Sequence, residues 1–394
     1  MEPMNIDAMI QRRQRRNDES RLVLDFEPLS PIAHVDPPVD RTRLIELLLD
    51  HLDPVFDASL PPNGYLYGPK GTGKSAIVSS LYTHLGKRIG GRRTAIYTNT
   101  RVRPTRKLRF VYVDTLLTDS EFAFYRSLLK PLAGEPVPEH GVSTEVLGDR
   151  LHRAVEDSAA GLVLAVDHVG EPGGVDTPTL VEWFEALPSS VSWLAIGRAT
   201  PAETELTDYT AESIRVDPYR RHVLVNVLLR RAAGGLDRPA LGYEAVQRIA
   251  DWADGDAHDG LAALFIAAHR ADDAGRSTVS TGDIDAAIAE IPDRSVSLTR
   301  VLALPANKQS VLRAFVDLEP ADRGSVTDTT AAIADAPTVD LATGTIQRYL
   351  YEMAEDGIID RVRGTNDTDQ GRPPSRLEPR FPATAFRRLH EFSG

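Results

Sequence analysis

The sequence of 394 residues contains no cysteine, only six lysines and few aromatic residues. The absence of cysteine excludes disulfides, thiolate zinc sites and thiol nucleophiles. No apolar run approaches the ~20 residues that a membrane-spanning helix requires, so we expect neither an integral membrane protein nor a membrane partner. The segment Met1–Asp18 is polar and rich in arginine, which is atypical of a secretory signal and favours a cytoplasmic location.

Positive charge comes almost entirely from arginine, with 39 arginines against six lysines, and the formal net charge is −12. An acidic balance with little lysine is typical of proteins that work in molar salt, so we expect a halophilic origin. A high-GC genome, which also favours arginine, alanine, glycine and aspartate, is the alternative explanation. Because ~1 M salt reduces the screening length to ~3 Å, local basic patches would then decide nucleic-acid binding despite the negative net charge.

Patterns along the chain divide it into four segments. Residues 1–30 form a polar arm, and residues 31–232 alternate strands with helices, which predicts an α/β domain with a parallel sheet. Residues 233–292 contain helical patterns without strands and predict a small all-helical lid. Residues 300–394 contain three helical patterns and two strand-like pieces, which predicts a winged-helix domain. The four predicted strands of the sheet are Tyr65–Tyr67, Arg109–Val113, Leu162–Val166 and Val191–Ile196.

The strongest local motif follows the first predicted strand. Residues 68–75 fit the phosphate-binding pattern G-x-x-x-x-G-K-[ST], for which chance predicts roughly 0.003 matches in this chain. Glycines allow backbone amides to converge on phosphate oxygens, and the following helix adds its positive N-terminal end. Lys74 would reach the β- and γ-phosphates, and the hydroxyl of Ser75 would bind Mg²⁺. The predicted loop consists of Gly68, Pro69, Lys70, Gly71, Thr72, Gly73, Lys74 and Ser75.

An apolar strand that ends in an acid supplies a second metal ligand. Residues 162–166 read Leu-Val-Leu-Ala-Val, and Asp167 follows them. In a nucleotide-binding α/β domain, an acid at this place contacts Mg²⁺ directly or through water. The alternative is an ordinary core strand that ends in a capping aspartate. Ser75 and Asp167 are therefore the predicted ligands of Mg²⁺.

Together with several other stretches, these motifs resemble the archaeal replication initiators related to the origin-recognition and Cdc proteins. Members of that family are AAA+ ATPases with a helical lid and a C-terminal winged helix. The resemblance implies that ATP or ADP binds with Mg²⁺ between the α/β domain and the lid, where Ala76, Tyr219 and His258 join the loop residues around the nucleotide. The matching stretches are Arg41 and residues 65–69, 162–167, 191–196, 216–219, 255–257 and 345–359.

The chain departs from this family at the positions that serve hydrolysis. After Asp167, His168 stands where the family has a glutamate that polarises the attacking water, and Arg198 stands at the best match to the sensor-1 asparagine. His258 replaces the sensor-2 arginine, and residues 206–210, where a trans-acting arginine finger is expected, contain no arginine. Loss of such contacts slows phosphoryl transfer by ~10²- to 10⁵-fold, which predicts slow or absent hydrolysis.

Three residues are candidates for a catalytic role despite these departures. Glu171 or His168 would substitute for the missing glutamate by orienting the attacking water. Arg198 would clamp the γ-phosphate and favour a static ATP-bound state. For Arg198 and His258, the alternative is drift at a surface that no longer performs catalysis.

A basic stretch within the α/β domain is one candidate for contact with DNA. Residues 87–109 contain nine basic residues and no acid, which reverses the net charge of the chain locally. Residues 95–98 and 108–113 would form a basic hairpin against the DNA backbone. The alternatives are a solvated insertion and a patch that binds acidic surfaces of a neighbouring domain or subunit.

The second helix of the predicted winged helix, residues 343–355, is the candidate for reading DNA sequence in the major groove. Its apolar residues Ile346, Leu350 and Met353 should pack inward. Arginine and glutamine can read base edges, and arginines of the wing suit phosphates. Docking of a protein is the alternative use of a winged helix. The predicted DNA contacts are Thr343, Thr345, Gln347, Arg348, Tyr351, Arg363, Arg372 and Arg376.

These patterns favour an ATP-binding protein that recognises a replication origin as double-stranded DNA through its winged helix. A replicative helicase or another replisome component would be its downstream partner, and homo-oligomers would form on DNA. One alternative is a hydrolysis-deficient paralogue that acts as a DNA-binding regulator or a plasmid-type replicon factor. The other is a P-loop signalling ATPase whose winged helix docks a protein.

Overall fold

The computed structural model describes residues 21–34, 38, 40–90, 107–118, 120–132, 136–157, 160–237, 240–363 and 375–393. Contacts divide the described chain into two compact units. One unit is His34–Pro218, and the other combines the described part of Met1–Ala33 with Tyr219–Gly394. Of the helices in the described ranges, none combines the length and the apolar character that crossing a membrane requires.

A five-stranded parallel sheet forms the centre of the unit His34–Pro218. The strands are β1 Gly64–Tyr67, β2 Lys107–Asp114, β3 Ala160–Val169, β4 Val191–Gly197 and β5 Glu212–Arg215. They lie in the order β2-β3-β4-β1-β5, and every neighbouring pair is parallel. The four predicted strands are confirmed. The sequence does not predict β5, because Ile214 is its only buried residue and so short a strand carries little periodicity.

Helices cover both faces of this sheet. They are α1 Thr42–His51, α2 Lys74–Gly90, α3 Glu121–Leu129, α4 Thr144–Asp157 and α5 Thr177–Glu185, with 3₁₀ helices at Asp53–Asp57, Pro201–Glu203 and Glu205–Tyr209. Side chains alternate along β3, so that Leu162, Leu164 and Val166 pack with α3, α4 and α5. Val163 and Ala165 point to the opposite face and pack with α1 and α2. The apolar run 162–166 is therefore a strand buried on both faces.

The second unit is helical apart from one antiparallel hairpin. Its helices are α6 Arg221–Gly235, α7 Tyr243–Ala253, α8 Ala257–Asp273, α9 Thr281–Glu290, α10 Leu298–Leu302, α11 Ala306–Asp317, α12 Val326–Ala334, α13 Thr343–Glu355 and α14 Ala383–Ser393, with a 3₁₀ helix at Pro320–Arg323. The hairpin pairs β6 Ile359–Arg363 with β7 Ser375–Pro379. Helices α6 to α9 form the lid, and the elements from α10 onward form the winged helix. One continuous apolar core joins the two parts.

Small polar residues set the start of many helices in both units. Side-chain oxygens of these residues accept a hydrogen bond from a backbone N–H in the first turn, which satisfies a donor that the helix itself leaves unpaired. Since serine and aspartate compete for backbone groups inside a helix, they favour its first position instead. The capping residues are Ser120, Asp176, Asp256, Ser280 and Ser325.

The N-terminal stretch differs from its prediction as a polar arm over residues 1–30. From residue 21 onward it packs on the lid, and its buried side chains include Leu22 and Leu29. The buried guanidinium of Arg231 donates hydrogen bonds to the carbonyl oxygens of Ser30 and Ala33. The apolar residues that pack on the lid are too widely spaced to form a helix or strand pattern. The periodicity of the sequence therefore does not predict this packing. Residues 1–20 lie outside the described ranges.

Candidate nucleotide site and nucleic-acid interface

The phosphate-binding loop connects β1 to α2. β1 ends at Tyr67, the loop spans residues 68–73, and the helix begins at Lys74. Gly71 and Gly73 have φ angles of 70° and 83°, which residues with a side chain rarely adopt. The glycine pattern is therefore required by the backbone of the turn. A turn of this kind at a helix N-terminus presents unpaired backbone N–H groups, which bind anions such as phosphate.

Contacts from neighbouring segments hold the loop in place. A Cβ on Gly68 would lie 2.2 Å from the carbonyl oxygen of Val216, so a larger residue would push the loop away from the chain beyond β5. Nη2 of Arg41 donates to the carbonyl oxygen of Thr72 at 2.7 Å and to that of Asp217 at 3.2 Å. Arg41 therefore ties the loop to the exit of β5, which gives a structural role to a residue that the motif comparison singles out.

The ammonium group of Lys74 lies over the loop. Its Nζ donates to the carbonyl oxygens of Gly68 at 2.7 Å and Pro69 at 2.8 Å, and it lies 3.4 Å from Oγ1 of Thr72. A buried cation held by neutral carbonyls gains by exchanging them for anionic oxygens, because charge-assisted hydrogen bonds are the stronger ones. The loop, with Ser75 in the first turn of α2, therefore fits the phosphates of a nucleotide.

Tyr112, on β2, contacts Asp167, which with Ser75 makes the predicted pair of Mg²⁺ ligands. Its hydroxyl donates a hydrogen bond to Oδ2 of Asp167. Burial, followed by the charge of Asp167, raises the pKa of the Tyr112 hydroxyl, which therefore remains protonated. Oδ1 of the buried Asp167 accepts from the backbone N–H of His168 at 2.7 Å. A hydroxyl and a carboxylate are oxygen ligands of the kind that Mg²⁺ prefers, so this pair fits the metal.

The backbone is irregular where the sequence places His168 at a hydrolytic position. The register between β3 and β4 shifts between Val166 and Val169, and His168 has a φ angle of 60°. Nδ1 of His168 lies 2.8 Å from Oδ1 of Asp114, the last residue of β2. Burial lowers the pKa of His168, but Asp167 and Asp114 outweigh it and raise this pKa to about 9. At neutral pH the ring is therefore an imidazolium, which cannot accept a proton from water.

The other two catalytic candidates pair with each other. Nη2 of Arg198, just beyond β4, lies 2.7 Å from Oε2 of Glu171, whose side chain is only 8% exposed. The backbone N–H of Glu171 donates to the carbonyl oxygen of His168 at 3.2 Å. We call the five residues Asp114, Asp167, His168, Glu171 and Arg198 the strand-end cluster. It lies at the carboxyl ends of β2, β3 and β4, the edge of a parallel sheet at which ligands bind.

Two predicted nucleotide contacts, His258 and Tyr219, belong to the other unit. Nε2 of His258 accepts the N–H of Leu298 at 3.0 Å, and Nδ1 lies 3.2 Å from Oδ1 of Asp259. This pattern assigns the hydrogen of the neutral ring to Nδ1. The N–H of Tyr219 donates to the carbonyl oxygen of Gly255 at 3.1 Å. Contact of either residue with a nucleotide stays a prediction, as does that of Ala76 in α2.

The predicted recognition helix is present as α13. Ile346, Leu350 and Met353 are buried, as the apolar pattern predicts. On the rest of the helix, Thr343 and Arg348 are exposed. Thr345, Gln347 and Tyr351 are partly exposed. Helix α13 therefore offers polar side chains on the surface that its apolar face leaves free.

Arginines of α13 and of the hairpin β6–β7 add positive charge to the winged helix. Arg348 is 63% exposed, and its Nε lies 3.7 Å from Oε1 of Glu352. The guanidinium of Arg361 lies 5.0 Å from the ring centroid of Tyr351, and the exposed Arg376 pairs with Glu378 at 2.6 Å. Because exposed pairs contribute little energy, these cations can exchange their partners for phosphates. Contact with DNA stays a prediction for all of them.

Several candidates for DNA contact lie outside the described residues. They are Arg372 in the wing, the side chain of Arg363 at the end of β6, and residues 91–106 of the basic stretch, including the proposed hairpin strand at 95–98. Of the basic stretch, the described residues are the end of α2 and the first part of β2. Lys107 and Arg109 there are exposed. The hairpin therefore stays a prediction.

Sequence reasoning missed Tyr112 and Asp114. Both lie on β2, and Asp114 pairs in register with Asp167 of β3. A signal for Asp114 exists in the sequence, because it is an acid at the carboxyl end of a predicted parallel strand, where functional side chains converge. No local signal marks Tyr112, whose role depends on a strand that is distant in sequence.

In sequence, residues 37–192 match the family model of the AAA ATPase domain. ORC1-type DNA replication protein 1 of Sulfurisphaera tokodaii is 26% identical over 310 residues, which cover 75% of this chain and 74% of the relative. ORC1-type DNA replication protein 9 of Halobacterium salinarum is 22% identical over 326 residues, which cover 81% of this chain and 84% of the relative.

Two solved structures have a similar fold. The Aeropyrum pernix ORC1 protein, solved in complex with DNA, gives a TM-score of 0.61 at 19% identity and covers 94% of this chain and 97% of its own. Cdc6p from Pyrobaculum aerophilum gives a TM-score of 0.54 at 18% identity, with 94% and 98% covered. The predicted fold class is confirmed: a P-loop α/β domain, a helical lid and a C-terminal winged helix. Residues 37–192 thus match the AAA ATPase domain, and the chain as a whole is similar to the ORC1-type DNA replication proteins.

Proposed function

We infer that the protein initiates DNA replication by binding ATP and, through its winged helix, double-stranded DNA at an origin. The observation that carries this inference is the match over about three quarters of both chains to proteins named as ORC1-type DNA replication proteins. The complex of the Aeropyrum pernix relative with DNA supports DNA as the partner. The exposed side chains of α13 support a role for that helix in contacting bases.

The loop residues would hold the nucleotide. Backbone N–H groups of the loop and the ammonium of Lys74 would bind phosphate oxygens, and Ser75 and Asp167 would hold Mg²⁺. When bound, Mg²⁺ neutralises charge on the β- and γ-phosphates. Arg41 keeps the loop fixed to the chain beyond β5, so little reorganisation is needed on binding.

Slow hydrolysis is part of the proposal. An imidazolium at His168 cannot act as a base, and Glu171 is already paired with Arg198. Both charged side chains that could orient water are thus engaged within the strand-end cluster. Bound ATP would then persist, and the ATP-bound form would be the form that binds the origin. The proposed downstream partner is a replicative helicase or another replisome component, with homo-oligomers on DNA.

A second candidate function is that of a hydrolysis-deficient paralogue, which regulates replication or serves a plasmid-type replicon. The pairing of His168 with Asp114 favours it, because that contact removes the water-polarising group from the site. ATP turnover separates the two candidates. Turnover above that of a Lys74→Ala variant favours an active initiator, and tight ATP binding without such turnover favours the regulator.

DNA selection tests the origin-binding function. The full-length protein with ATP and Mg²⁺ is incubated with a pool of random-sequence duplexes in roughly 2 M KCl, where non-specific phosphate contacts are heavily screened. We expect enrichment of one sequence motif. The variant Arg348→Ala should bind the enriched duplex roughly 10- to 100-fold more weakly, because a base contact is lost.

The variant Arg313→Ala is the matched control. Arg313 lies on α11 of the same domain and is engaged with Asp317 and Glu391. It should bind the enriched duplex as the unchanged protein does. No enrichment in the presence of ATP would contradict the origin-binding function and favour a winged helix that docks a protein.

A further inference from the structure

We propose that Tyr112 is a positioning residue that orients the Mg²⁺ ligand Asp167, and so sets how strongly nucleotide binding depends on Mg²⁺. The proposal rests on the proposed nucleotide-binding function. Tyr112 is not part of the phosphate-binding pattern, and it lies on β2, a different element from the strand β3 that carries Asp167. Its hydroxyl donates a hydrogen bond to Oδ2 of that carboxylate.

The direction of this hydrogen bond follows from the chemistry of a hydroxyl. The single hydrogen of the Tyr112 hydroxyl goes to Oδ2 of Asp167, since an ionised carboxylate can only accept. Tyr112 therefore restrains the orientation of the Asp167 carboxylate through this oxygen.

The carboxylate of Asp167 is oriented from two sides. Tyr112 donates to Oδ2, and the backbone N–H of His168 donates to Oδ1 at 2.7 Å. Each oxygen keeps a further lone pair with which to accept from a metal-bound water or to bind the metal. Groups that orient metal ligands in this way contribute ~10- to 100-fold to metal affinity. Without the Tyr112 hydroxyl, Oδ2 of Asp167 would lose a buried hydrogen-bond partner.

The alternative role for Tyr112 is packing of its ring alone. The ring is partly buried on the face of the sheet that packs with α1 and α2. Phenylalanine keeps this ring and removes only the hydroxyl, so Tyr112→Phe separates hydrogen bonding from packing. Tyr82 on α2 offers a matched control, because its buried hydroxyl lies 3.5 Å from the carbonyl oxygen of Leu164. Tyr82→Phe removes the same group from the same core.

The test measures binding of a fluorescent ATP analogue to the full-length chain as Mg²⁺ is titrated, with EDTA as the metal-free reference. For Tyr112→Phe, we expect the Mg²⁺ concentration at half-maximal binding to rise ~10- to 100-fold, and the affinity in EDTA to stay within about twofold. Tyr82→Phe should change neither quantity. An unchanged Mg²⁺ midpoint in Tyr112→Phe would overturn the proposal, and so would an equal loss of binding in EDTA.

A double-mutant comparison tests whether Tyr112 acts through Asp167. In an Asp167→Asn background, adding Tyr112→Phe should raise the Mg²⁺ midpoint by less than about twofold. Full additivity would overturn the proposed route. Failure of the unchanged protein to bind the analogue at all would instead overturn the proposed nucleotide-binding function, and with it this proposal. The two failures are therefore distinguishable in one experiment.

Discussion

The phosphate-binding loop and the strand-end cluster belong to the same unit, but they differ in how their charged side chains are paired. In the loop, the ammonium group of Lys74 donates hydrogen bonds to neutral carbonyl oxygens, which anionic phosphates can replace. In the strand-end cluster, each cation already has an anion, since His168 pairs with Asp114 and Arg198 with Glu171. The phosphate-binding loop therefore suits an anionic ligand, whereas the cations of the strand-end cluster are already paired with carboxylates of the protein.

This difference in charge pairing has opposite consequences for nucleotide binding and for nucleotide hydrolysis. An ammonium group bonded to neutral carbonyl oxygens gains from binding a phosphate, but a self-paired cluster must break an ion pair before its charges can stabilise a transition state. Two of the sequence departures from the family, His168 and Arg198, fall in the second region, and none of the departures falls in the first. We therefore expect the chain to bind ATP and to hydrolyse it slowly.

Removing the loop cation should have the largest effect. We expect Lys74→Ala to weaken ATP binding by roughly 10³-fold, about 4 kcal/mol, because its ammonium is the buried charge that meets the phosphates. Isothermal titration of ATP measures the change. Lys308→Ala, which removes an ammonium group of α11 that lies 3.0 Å from Oε2 of Glu352, serves as the control. Equal loss in both variants would contradict the special role of Lys74.

Reversing the charge of the cluster should have the next largest effect. His168→Glu sets a carboxylate against Asp114 and Asp167, and we expect it to destabilise the fold by about 3 kcal/mol. Thermal unfolding measures the loss. Adding Asp114→Asn removes one repulsion, so the double variant should recover part of the melting temperature and turn over ATP faster than the unchanged protein. A stable His168→Glu single variant would show that the cluster is not electrostatically matched.

The smallest expected effect is the pH dependence of the cluster. His168 has a folded-state pKa of about 9 against 6.5 for an ordinary histidine, so its stabilisation is complete below about 6.5 and disappears as the pH rises through 9. The contribution is about 3 kcal/mol. In metal-free protein, the melting temperature of the unchanged chain minus that of His168→Gln should be largest near pH 6 and vanish near pH 10. A constant difference would contradict an imidazolium at this site.

Much of the fold was open to prediction because its signals are local. The loop pattern fixes glycines where the backbone needs positive φ angles, and the apolar run 162–166 marks a strand that is buried on both faces. The inward face of α13 follows from helical spacing. The sequence predicts neither β5 nor the packing of residues 21–33, because their few buried residues do not recur at helix or strand spacing.

Local sequence patterns are enough to locate the phosphate-binding loop, most of the strands and helices, and the residues at the hydrolytic positions. Which groups those residues contact depends on the fold. Tyr112 and Asp167 are 55 residues apart, and Asp114 and His168 are 54 apart, yet each pair shares a hydrogen bond. Backbone conformation depends mainly on neighbouring residues in the sequence. The charge of a histidine or the direction of a hydroxyl depends instead on the distant groups that the fold brings beside it.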